Sequence, residues 1–272
     1  RTRARQGNVF FAGKALSSSV GRAHDAIYEL VTVAGQGGSG SGLNQLNYPT
    51  RLFIDSNGHL DIIDYNNSRV IRYLAGSTSG TVVATGLHIQ GIARDASGDL
   101  YVAKNYSPWG VQKWLASSYP TNSLVAGRST SPLWGSDLDQ FGSNSPSDVV
   151  LDADGNVYAS DLDNYRVVMW APGSTEGVVV AGGNGSGSES NQLYGPESLL
   201  IDGDGALYIL DNSYYNPRIV KWESGATSGT IVAGGNGVGW AANQIWGPTQ
   251  IALNADGDLF IAEQGGWNED EY

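Results

Sequence analysis

Short alternating apolar runs, separated by turns rich in Asp, Asn and Gly, recur along the chain. The runs at residues 156–161 and 206–211 each follow such a turn, and two alternating runs joined in this way predict a β-hairpin. No segment has an apolar stripe of useful length at helical spacing. The pattern predicts an all-β protein with five countable hairpins, whose turns are Asp55–Gly58, Asp95–Gly98, Asp152–Gly155, Asp202–Gly205 and Asn254–Gly257.

The same parts return in the same order along the chain. The triplet Val-Ala-Gly occurs four times and a degenerate copy once, and its central alanines are spaced by 50, 42, 55 and 52 residues. Four short strands in a period of ~40 to 50 residues are typical of β-propeller blades. The repeats therefore predict a propeller of four-stranded antiparallel blades, in which a proline comes before most of the first apolar runs: Pro49, Pro146, Pro196 and Pro248.

Two stretches carry a more specific pattern, Asp161-Leu-Asp-Asn164-Tyr-Arg166 and Asp64-Tyr-Asn-Asn67-Ser-Arg69. With the proline and the Asp-x-x-Gly turn before them, they resemble the NHL repeat over roughly residues 31–263, more weakly in the second repeat. The resemblance implies a propeller that usually has six blades and usually serves as a binding platform. The glycine-rich loops resemble those of tandem NHL arrays in secreted or surface proteins, so we expect an extracellular or cell-surface location.

The repeats also predict a domain organisation. We expect the NHL-repeat propeller at residues 31–272, with an incomplete last blade, and a poorly fitting segment at residues 1–30 that forms at most a partial blade. If N-terminal strands pair with the C-terminal blade, the ring has five blades, and otherwise a sixth is missing. Because no initiating methionine is present, we expect a fragment, a monomeric domain of a larger chain.

Composition narrows the range of partners. The 272 residues include 15 basic and 27 acidic side chains, for a net charge of −12, and this balance argues against a nucleic-acid partner. The absence of cysteine excludes disulfides, thiolate zinc sites and iron–sulfur clusters. No run approaches the ~18 apolar residues of a membrane-spanning helix.

The recurring Asp and Arg residues invite a catalytic interpretation, since carboxylates perform acid–base chemistry. A residue repeated in every blade, however, supports the repeat, whereas chemistry needs one special site. We therefore predict structural, charge-assisted bridges between neighbouring loops and no catalytic residue. The structural repeat residues are Asp64, Arg69, Asp161, Arg166, Asp211 and Arg218.

Metal and cofactor motifs give no positive prediction. The Asp-x-Asp-Gly turns have glycine in the fourth position, whereas an EF-type calcium loop needs it in the sixth. Residues 35–40 match the dinucleotide fingerprint, but no helix follows them. We expect no cofactor and no metal. One alternative stays open, a metal-dependent, lactonase-like propeller hydrolase or lyase with His88 and channel carboxylates.

Loop aromatic residues are the best candidates for a binding site. In an NHL-like blade, the loops before the proline and after the second strand share one face. Exposed Tyr and Trp favour binding, although they could instead wedge between loops and stiffen the ring. We predict a non-catalytic platform for a protein or glycan, with ligand-binding residues Tyr48, Tyr65, Tyr194, Tyr214, Tyr215, Trp246 and Trp267.

Overall fold

The computed structural model describes residues 9–12, 30–106, 109–127, 135–254 and 256–263. Two short 3-10 helices lie within these residues, at Tyr65–Asn67 and Leu162–Asn164. The other regular elements there are the strands β1 (Val9–Ala12), β2 (Leu30–Ala34), β3 (Pro49–Ile54), β4 (Leu60–Asp64), β5 (Arg69–Tyr73), β6 (Thr81–Thr85), β7 (Ile89–Arg94), β8 (Leu100–Lys104), β9 (Gly110–Trp114), β10 (Asn122–Ala126), β11 (Val149–Leu151), β12 (Val157–Asp161), β13 (Arg166–Trp170), β14 (Val178–Gly182), β15 (Pro196–Ile201), β16 (Leu207–Asp211), β17 (Arg218–Trp222), β18 (Thr230–Gly234), β19 (Pro248–Leu253) and β20 (Leu259–Glu263).

Four antiparallel four-stranded sheets follow one another along the chain, and we call them the first to fourth blades: β3–β6, β7–β10, β11–β14 and β15–β18. Two further sheets have two strands each, β1–β2 and β19–β20. The sequence predicted five or six blades, whereas the described residues form four complete ones. The prediction was wrong in its count because the fifth repeat contributes only its first hairpin, β19–β20, to the part of the chain that the structure describes.

The Asp-x-x-Gly turns fold as the sequence pattern predicts. In the third blade, Asp152 Oδ1 accepts hydrogen bonds from the backbone N–H groups of Asp154 and Asn156, at 3.0 and 2.8 Å. An aspartate that bonds the backbone two residues ahead closes a turn without help from neighbouring elements. Asp55 makes the same two contacts with Asn57 and His59, both at 2.9 Å.

The chain separates into two compact units, Arg1–Leu87 and His88–Tyr272. The first unit contains the first blade, and its core includes Leu46, Ile62 and Ile71. Because second strands such as β4 are buried along their whole length, their side chains are apolar on both faces except at a few repeated polar positions.

In the second unit, the first strands of successive sheets pack beside one another in the order β7, β11, β15 and β19. Separate apolar clusters fill the spaces between the second and third blades, between the third and fourth, and between the fourth and β19–β20. Each sheet of this unit thus buries a face against the next one, which is the arrangement that a propeller requires.

A buried aromatic residue ends the third strand of every complete blade: Tyr73, Trp114, Trp170 and Trp222. The Tyr73 hydroxyl donates to the Leu43 carbonyl at 3.0 Å, and Trp170 packs on Phe141 with ring centroids 5.1 Å apart. These residues fill equivalent places between strands and loops, so their recurrence reflects packing.

An ion pair between Asp64 and Arg69 fastens the loop at residues 35–48 to the first blade. Arg69 Nε donates to Asp64 Oδ2 at 2.7 Å, and the Asn47 backbone N–H donates to Asp64 Oδ1 at 2.6 Å. The aspartate is completely buried. The remaining guanidinium N–H groups donate to carbonyl oxygens of the same loop, those of Ser41, Gly42 and Gln45.

The same arrangement of an ion pair and a hydrogen-bonded loop recurs in the third and fourth blades, and we call it the clamp. Arg166 Nε lies 2.8 Å from Asp161 Oδ2, and Arg218 Nε lies 2.8 Å from Asp211 Oδ2. Both arginines also donate to backbone carbonyls of the loop that precedes the first strand of their blade. Each clamp therefore joins a loop to a hairpin through one buried charge pair whose hydrogen-bonding groups are largely satisfied.

We expect Arg166→Ala to lower the free energy of unfolding by about 3–5 kcal/mol, because the variant leaves the buried Asp161 carboxylate without its counter-ion. Urea titration followed by circular dichroism measures this loss. Arg166→Lys serves as the matched control. It keeps the positive charge but not the planar guanidinium group, so it should lose less stability than Arg166→Ala. Equal stability of wild type and Arg166→Ala would contradict the clamp.

Gly182 tests the close approach of two chain segments. It has φ +69°, and a Cβ there would lie 2.3 Å from the Tyr165 carbonyl oxygen. Gly185 has φ +79°, but a Cβ added to it would meet no other atom within 4 Å. We expect Gly185→Ala to cost about 1 kcal/mol for its backbone conformation and Gly182→Ala clearly more, because the carbonyl must also move. Paired thermal melts compare the two variants.

Candidate binding face

One end of each hairpin carries the loop before the first strand and the loop after the second strand, and we call this end the rim. In the fourth blade, Pro196 pairs with Asp211, which brings these two loops together. The Tyr194 backbone N–H donates to Asp211 Oδ1 at 2.7 Å, and Asn212 N–H donates to the Gly195 carbonyl at 2.9 Å. The buried aspartate thus positions the predicted binding residue Tyr194, which is partly exposed.

Tyr214 and Tyr215 follow β16 on the rim of the fourth blade. Their side chains are 86% and 79% exposed, far more than other large apolar residues of the described chain. The two rings pack edge to face with centroids 4.8 Å apart. Two adjacent tyrosines that contact each other but little else offer a broad surface to a partner.

Trp246 stacks on Trp240 in the next loop, with ring centroids 5.6 Å apart and planes 18° apart. The Trp246 backbone N–H donates to Glu263 Oε1 at 2.9 Å, which fixes the start of β19. The loop also contacts the fourth blade, because Gly237 N–H donates to Asn216 Oδ1 at 2.7 Å. The tryptophan pair and the tyrosine pair are therefore carried by hydrogen-bonded neighbouring loops.

Trp240 was not among the binding residues that the sequence predicted. It lies within the glycine-rich loop before β19. The prediction relied on positions that recur from blade to blade, and Trp240 is not at one of them. The signal available in the sequence was a tryptophan within a loop of small residues. Its side chain is 59% exposed in the structure.

In the first unit, Tyr48 and Tyr65 form the corresponding rim pair, with ring centroids 6.3 Å apart. Tyr48 is 53% exposed and has φ +56°, a left-handed conformation that costs a non-glycine residue of order 1–3 kcal/mol. Gly247, at the same place before Pro248, has φ +53°. Tyr48 and Gly247 thus share a left-handed conformation directly before the proline that begins a first strand.

The structure brings Tyr194, Tyr214, Tyr215 and Trp246 to neighbouring rim loops of the second unit, and Tyr48 and Tyr65 to the rim of the first. Trp267 lies outside the described residues. The ligand-binding assignment of all seven residues stays a prediction, as does the structural assignment of the Asp and Arg residues.

His88, the histidine considered for catalysis, precedes β7 on the rim of the second blade. It has φ +55°, and its ring stacks on Tyr106 with centroids 5.0 Å apart. Within the described ranges, no three or more His, Asp or Glu side chains cluster in a way that could hold a metal ion. His88 therefore belongs to an aromatic contact on the rim.

Asp148 is a buried carboxylate that the sequence analysis did not single out. Its Oδ2 accepts from the Leu199 backbone N–H at 2.9 Å, and its Oδ1 accepts from Val149 N–H at 2.9 Å. Ser147 Oγ lies 2.7 Å from Ser160 Oγ and donates to the Pro196 carbonyl at 2.8 Å. Both oxygens of this carboxylate accept backbone hydrogen bonds, and the bonds from Leu199 to Asp148 and from Ser147 to Pro196 tie the third blade to the fourth.

One small cavity lies in the first unit, away from the rim. Its volume is about 180 Å³, and apolar residues at the other end of the first blade line it, among them Ile54, Leu60 and Leu74. Typical small-molecule sites have volumes of roughly 300–1,000 Å³. This cavity is therefore smaller than a typical small-molecule site.

The rim also carries acidic groups. Asp163 accepts hydrogen bonds from the Ser143 hydroxyl at 2.8 Å and from the Asn144 backbone N–H at 2.9 Å. Burial alone would raise the pKa of Asp163, but these hydrogen bonds outweigh it and hold the pKa below its ordinary value. Glu197 and Asn212 form another rim contact at 2.9 Å.

No protein-family model matches the chain, and comparison with curated proteins gives no match either. Solved structures do match. A gluconolactonase from Xanthomonas campestris superposes with a TM-score of 0.56 at 15% identity, covering 76% of this chain and 67% of its own. A chain of the nidogen–laminin complex gives a TM-score of 0.54 at 18% identity, covering 72% and 67%.

An auxiliary nutrient binding protein from Bacteroides thetaiotaomicron gives a TM-score of 0.58 at 14% identity, covering 86% of this chain. This chain spans only 58% of that protein's length. These structures are β-propellers, so the chain is an all-β propeller in which four complete antiparallel blades are described. They include an enzyme and a binding protein, and at such identities they establish the fold alone. Among the described residues, no helix has the length and apolar character needed to cross a bilayer.

The lowered pKa of Asp163 predicts acid sensitivity. A carboxyl group whose pKa is lower in the folded than in the unfolded chain stabilises the fold above its unfolded value and loses this effect as the pH falls through the folded value. We expect the free energy of unfolding to decline once the pH drops below the ordinary value of 3.8, and Asp163→Asn to decline less steeply. Urea titrations at a series of pH values measure both slopes.

The control is Glu176→Gln, which removes one exposed carboxylate and so corrects for the change in net charge. If Asp163→Asn and wild type lose stability in parallel on acidification, the hydrogen bonds to Asp163 do not favour its charged form.

Proposed function

We propose that this protein is a non-catalytic binding platform, which takes a protein or a glycan on the loop face of its propeller. The observation that carries the proposal is the pairing of exposed rings on adjacent rim loops, Tyr214 with Tyr215 and Trp240 with Trp246. Tyrosine and tryptophan bring large contact area, few rotatable bonds and a polar tip to an interface.

The clamps supply a rigid base for this surface. Arg218 and Asp211 hold the loop before β15 through a buried ion pair and three hydrogen bonds to loop carbonyls. A loop that is already ordered loses little conformational freedom when a ligand binds, so more of the contact energy is expressed as affinity. Variable loops on a fixed scaffold are a common way to build a binding site.

The assignment to the NHL type is part of this proposal. Its support is the Asp-x-x-Asn-x-Arg frame acting as one unit: Asn164 Nδ2 and Arg166 Nε both donate to Asp161 Oδ2 at 2.8 Å. The proposal includes a propeller domain at residues 31–272 preceded by the segment 1–30, and an extracellular or cell-surface location as a monomeric domain.

The net charge of −12 favours a neutral or basic partner surface and disfavours nucleic acid.

The competing proposal is a metal-dependent, lactonase-like hydrolase or lyase. Two contacts count against this alternative: the buried carboxylate of Asp148 accepts backbone hydrogen bonds through both oxygens, and the His88 ring packs on Tyr106. Elemental analysis of natively purified protein tests this alternative, which one tightly held calcium or zinc per chain would favour.

The binding proposal is tested by screening the wild-type protein against glycan and extracellular-protein arrays and measuring Kd for the ligand found. We expect the double variant Tyr214→Ala/Tyr215→Ala and the variant Trp246→Ala each to weaken binding at least tenfold, about 1.4 kcal/mol, because each removes a ring from the contact surface.

Tyr119→Ala is the matched control, since Tyr119 is 43% exposed but lies in the β9–β10 connection, at the end of the second blade opposite its rim. The control should bind as wild type does. A screen without a wild-type ligand, or an unchanged Kd in both rim variants, would overturn the proposal.

A further inference from the structure

The second blade lacks the clamp that its three counterparts share. Where β12 and β13 pair Asp161 with Arg166, β8 and β9 pair Lys104 with Gly110. Gly110 thus takes the place of the arginine, and Lys104, a cation, takes the place of the aspartate. A departure from the repeat in one blade is what a special site would require, since a residue shared by all blades supports the repeat.

The loop that the clamp would hold is also short. Residues 86–88 alone separate β6 from β7, whereas residues 183–195 separate β14 from β15. In the fourth blade, carbonyl oxygens of the longer loop accept hydrogen bonds from Arg218. The second blade therefore lacks the carboxylate, the arginine and the long loop that the other three blades have.

Lys104 is 6% exposed, and its Nζ makes no hydrogen bond or ion pair with any described residue. Burial lowers the pKa of Lys104, because no nearby carboxylate compensates for the loss of water around the ammonium group. By contrast, Lys113 lies 3.0 Å from carboxylate oxygens of both Asp95 and Asp99. An ammonium group on a buried side chain, with no carboxylate partner among the described residues, is costly for the fold, and an anion at this place would relieve that cost.

The rim around Lys104 has the groups that an organic ligand needs. Ile89 pairs with Lys104, and the adjacent His88 stacks on Tyr106, whose side chain is 47% exposed. Gln90 Nε2 donates to Asn105 Oδ1 at 3.2 Å. An aromatic platform and two amide side chains therefore lie at the same strand end as the buried cation.

We propose that the rim of the second blade binds a small organic acid with a ring, whose carboxylate pairs with Lys104 and whose ring lies against Tyr106. This site goes beyond the binding face proposed above, because it uses none of the same residues. The net charge of −12 selects a small monoanion over a polyanion, since repulsion by the whole protein grows with the charge of the ligand.

The first test follows the four lysines of the chain by NMR after selective ¹³Cε labelling, with Lys104→Arg assigning the signal. The probes are two pairs that differ in the acid group, D-glucuronate with D-glucose and benzoate with benzyl alcohol. A bound carboxylate favours the ammonium form, so we expect at least one acid to raise the Lys104 titration midpoint by about one pH unit. The neutral partners should leave it unchanged.

The Lys113 signal is the internal control, because its ammonium group already has two carboxylate partners and should not move. A shift with glucuronate alone indicates a sugar acid, and a shift with benzoate alone indicates an aromatic acid. If neither acid moves the Lys104 signal, or if an acid and its neutral partner move it equally, the proposal is wrong.

The second test measures the Kd of the acid that binds. Lys104→Met should weaken binding at least tenfold, and Tyr106→Ala should weaken it to a smaller degree, because a charge-assisted contact contributes more than one ring face. Lys221→Met, which removes another ammonium group, should bind as wild type does. Urea titration establishes that each variant is folded, and Lys104→Arg, which should retain binding in part, keeps the test valid if Lys104→Met unfolds.

Equal affinity of wild type and folded Lys104→Met would overturn this site. The double variant Tyr214→Ala/Tyr215→Ala should bind the acid unchanged, so failure here and failure of the proposed protein or glycan face are separate results.

Discussion

A carboxylate and a guanidinium, buried together at the end of a hairpin, position most of the loops described above. Asp64 with Arg69, Asp161 with Arg166 and Asp211 with Arg218 lie 2.7–2.8 Å apart. Removing two charges from water is costly, and their attraction compensates only when further hydrogen bonds satisfy the remaining donors and acceptors. The loop carbonyls and backbone N–H groups provide those bonds. The loop must therefore adopt its observed course for the charge pair to be stable in the interior.

This dependence links the core to the rim. The Asp211 carboxylate that pairs with Arg218 also accepts the backbone N–H of Tyr194, so one buried side chain sets the position of an exposed ring. The Gly237 backbone N–H donates to Asn216 Oδ1, and this bond joins the loop that carries Trp240 and Trp246 to the loop that carries Tyr214 and Tyr215. Hydrogen bonds to the loop backbone thus position the aromatic surface, while the Tyr214 and Tyr215 side chains stay largely exposed.

Local chemistry explains which features the sequence could predict. The Asp152 turn is closed by bonds two and four residues apart, and the Asp161–Arg166 pair spans five residues, so both are visible as short patterns. The bond from Leu199 to Asp148 spans 51 residues and has no counterpart in the repeat frame. The stack of Trp240 on Trp246 likewise depends on the course of a glycine-rich loop. The number of complete blades depends on strand pairing at the ends of the repeat array, which a repeat count does not reveal.

The aromatic residue that ends each third strand has a spectroscopic consequence. Trp114, Trp170 and Trp222 occupy equivalent buried places in three consecutive blades, and the first blade has Tyr73 instead. Indole fluorescence changes when water reaches the ring, so proteins that retain one of these tryptophans at a time report on one blade each. Coincident signals would reveal blades that melt together as one cooperative body, and staggered signals would reveal blades that unfold one after another, as nearest-neighbour coupling in repeat proteins allows.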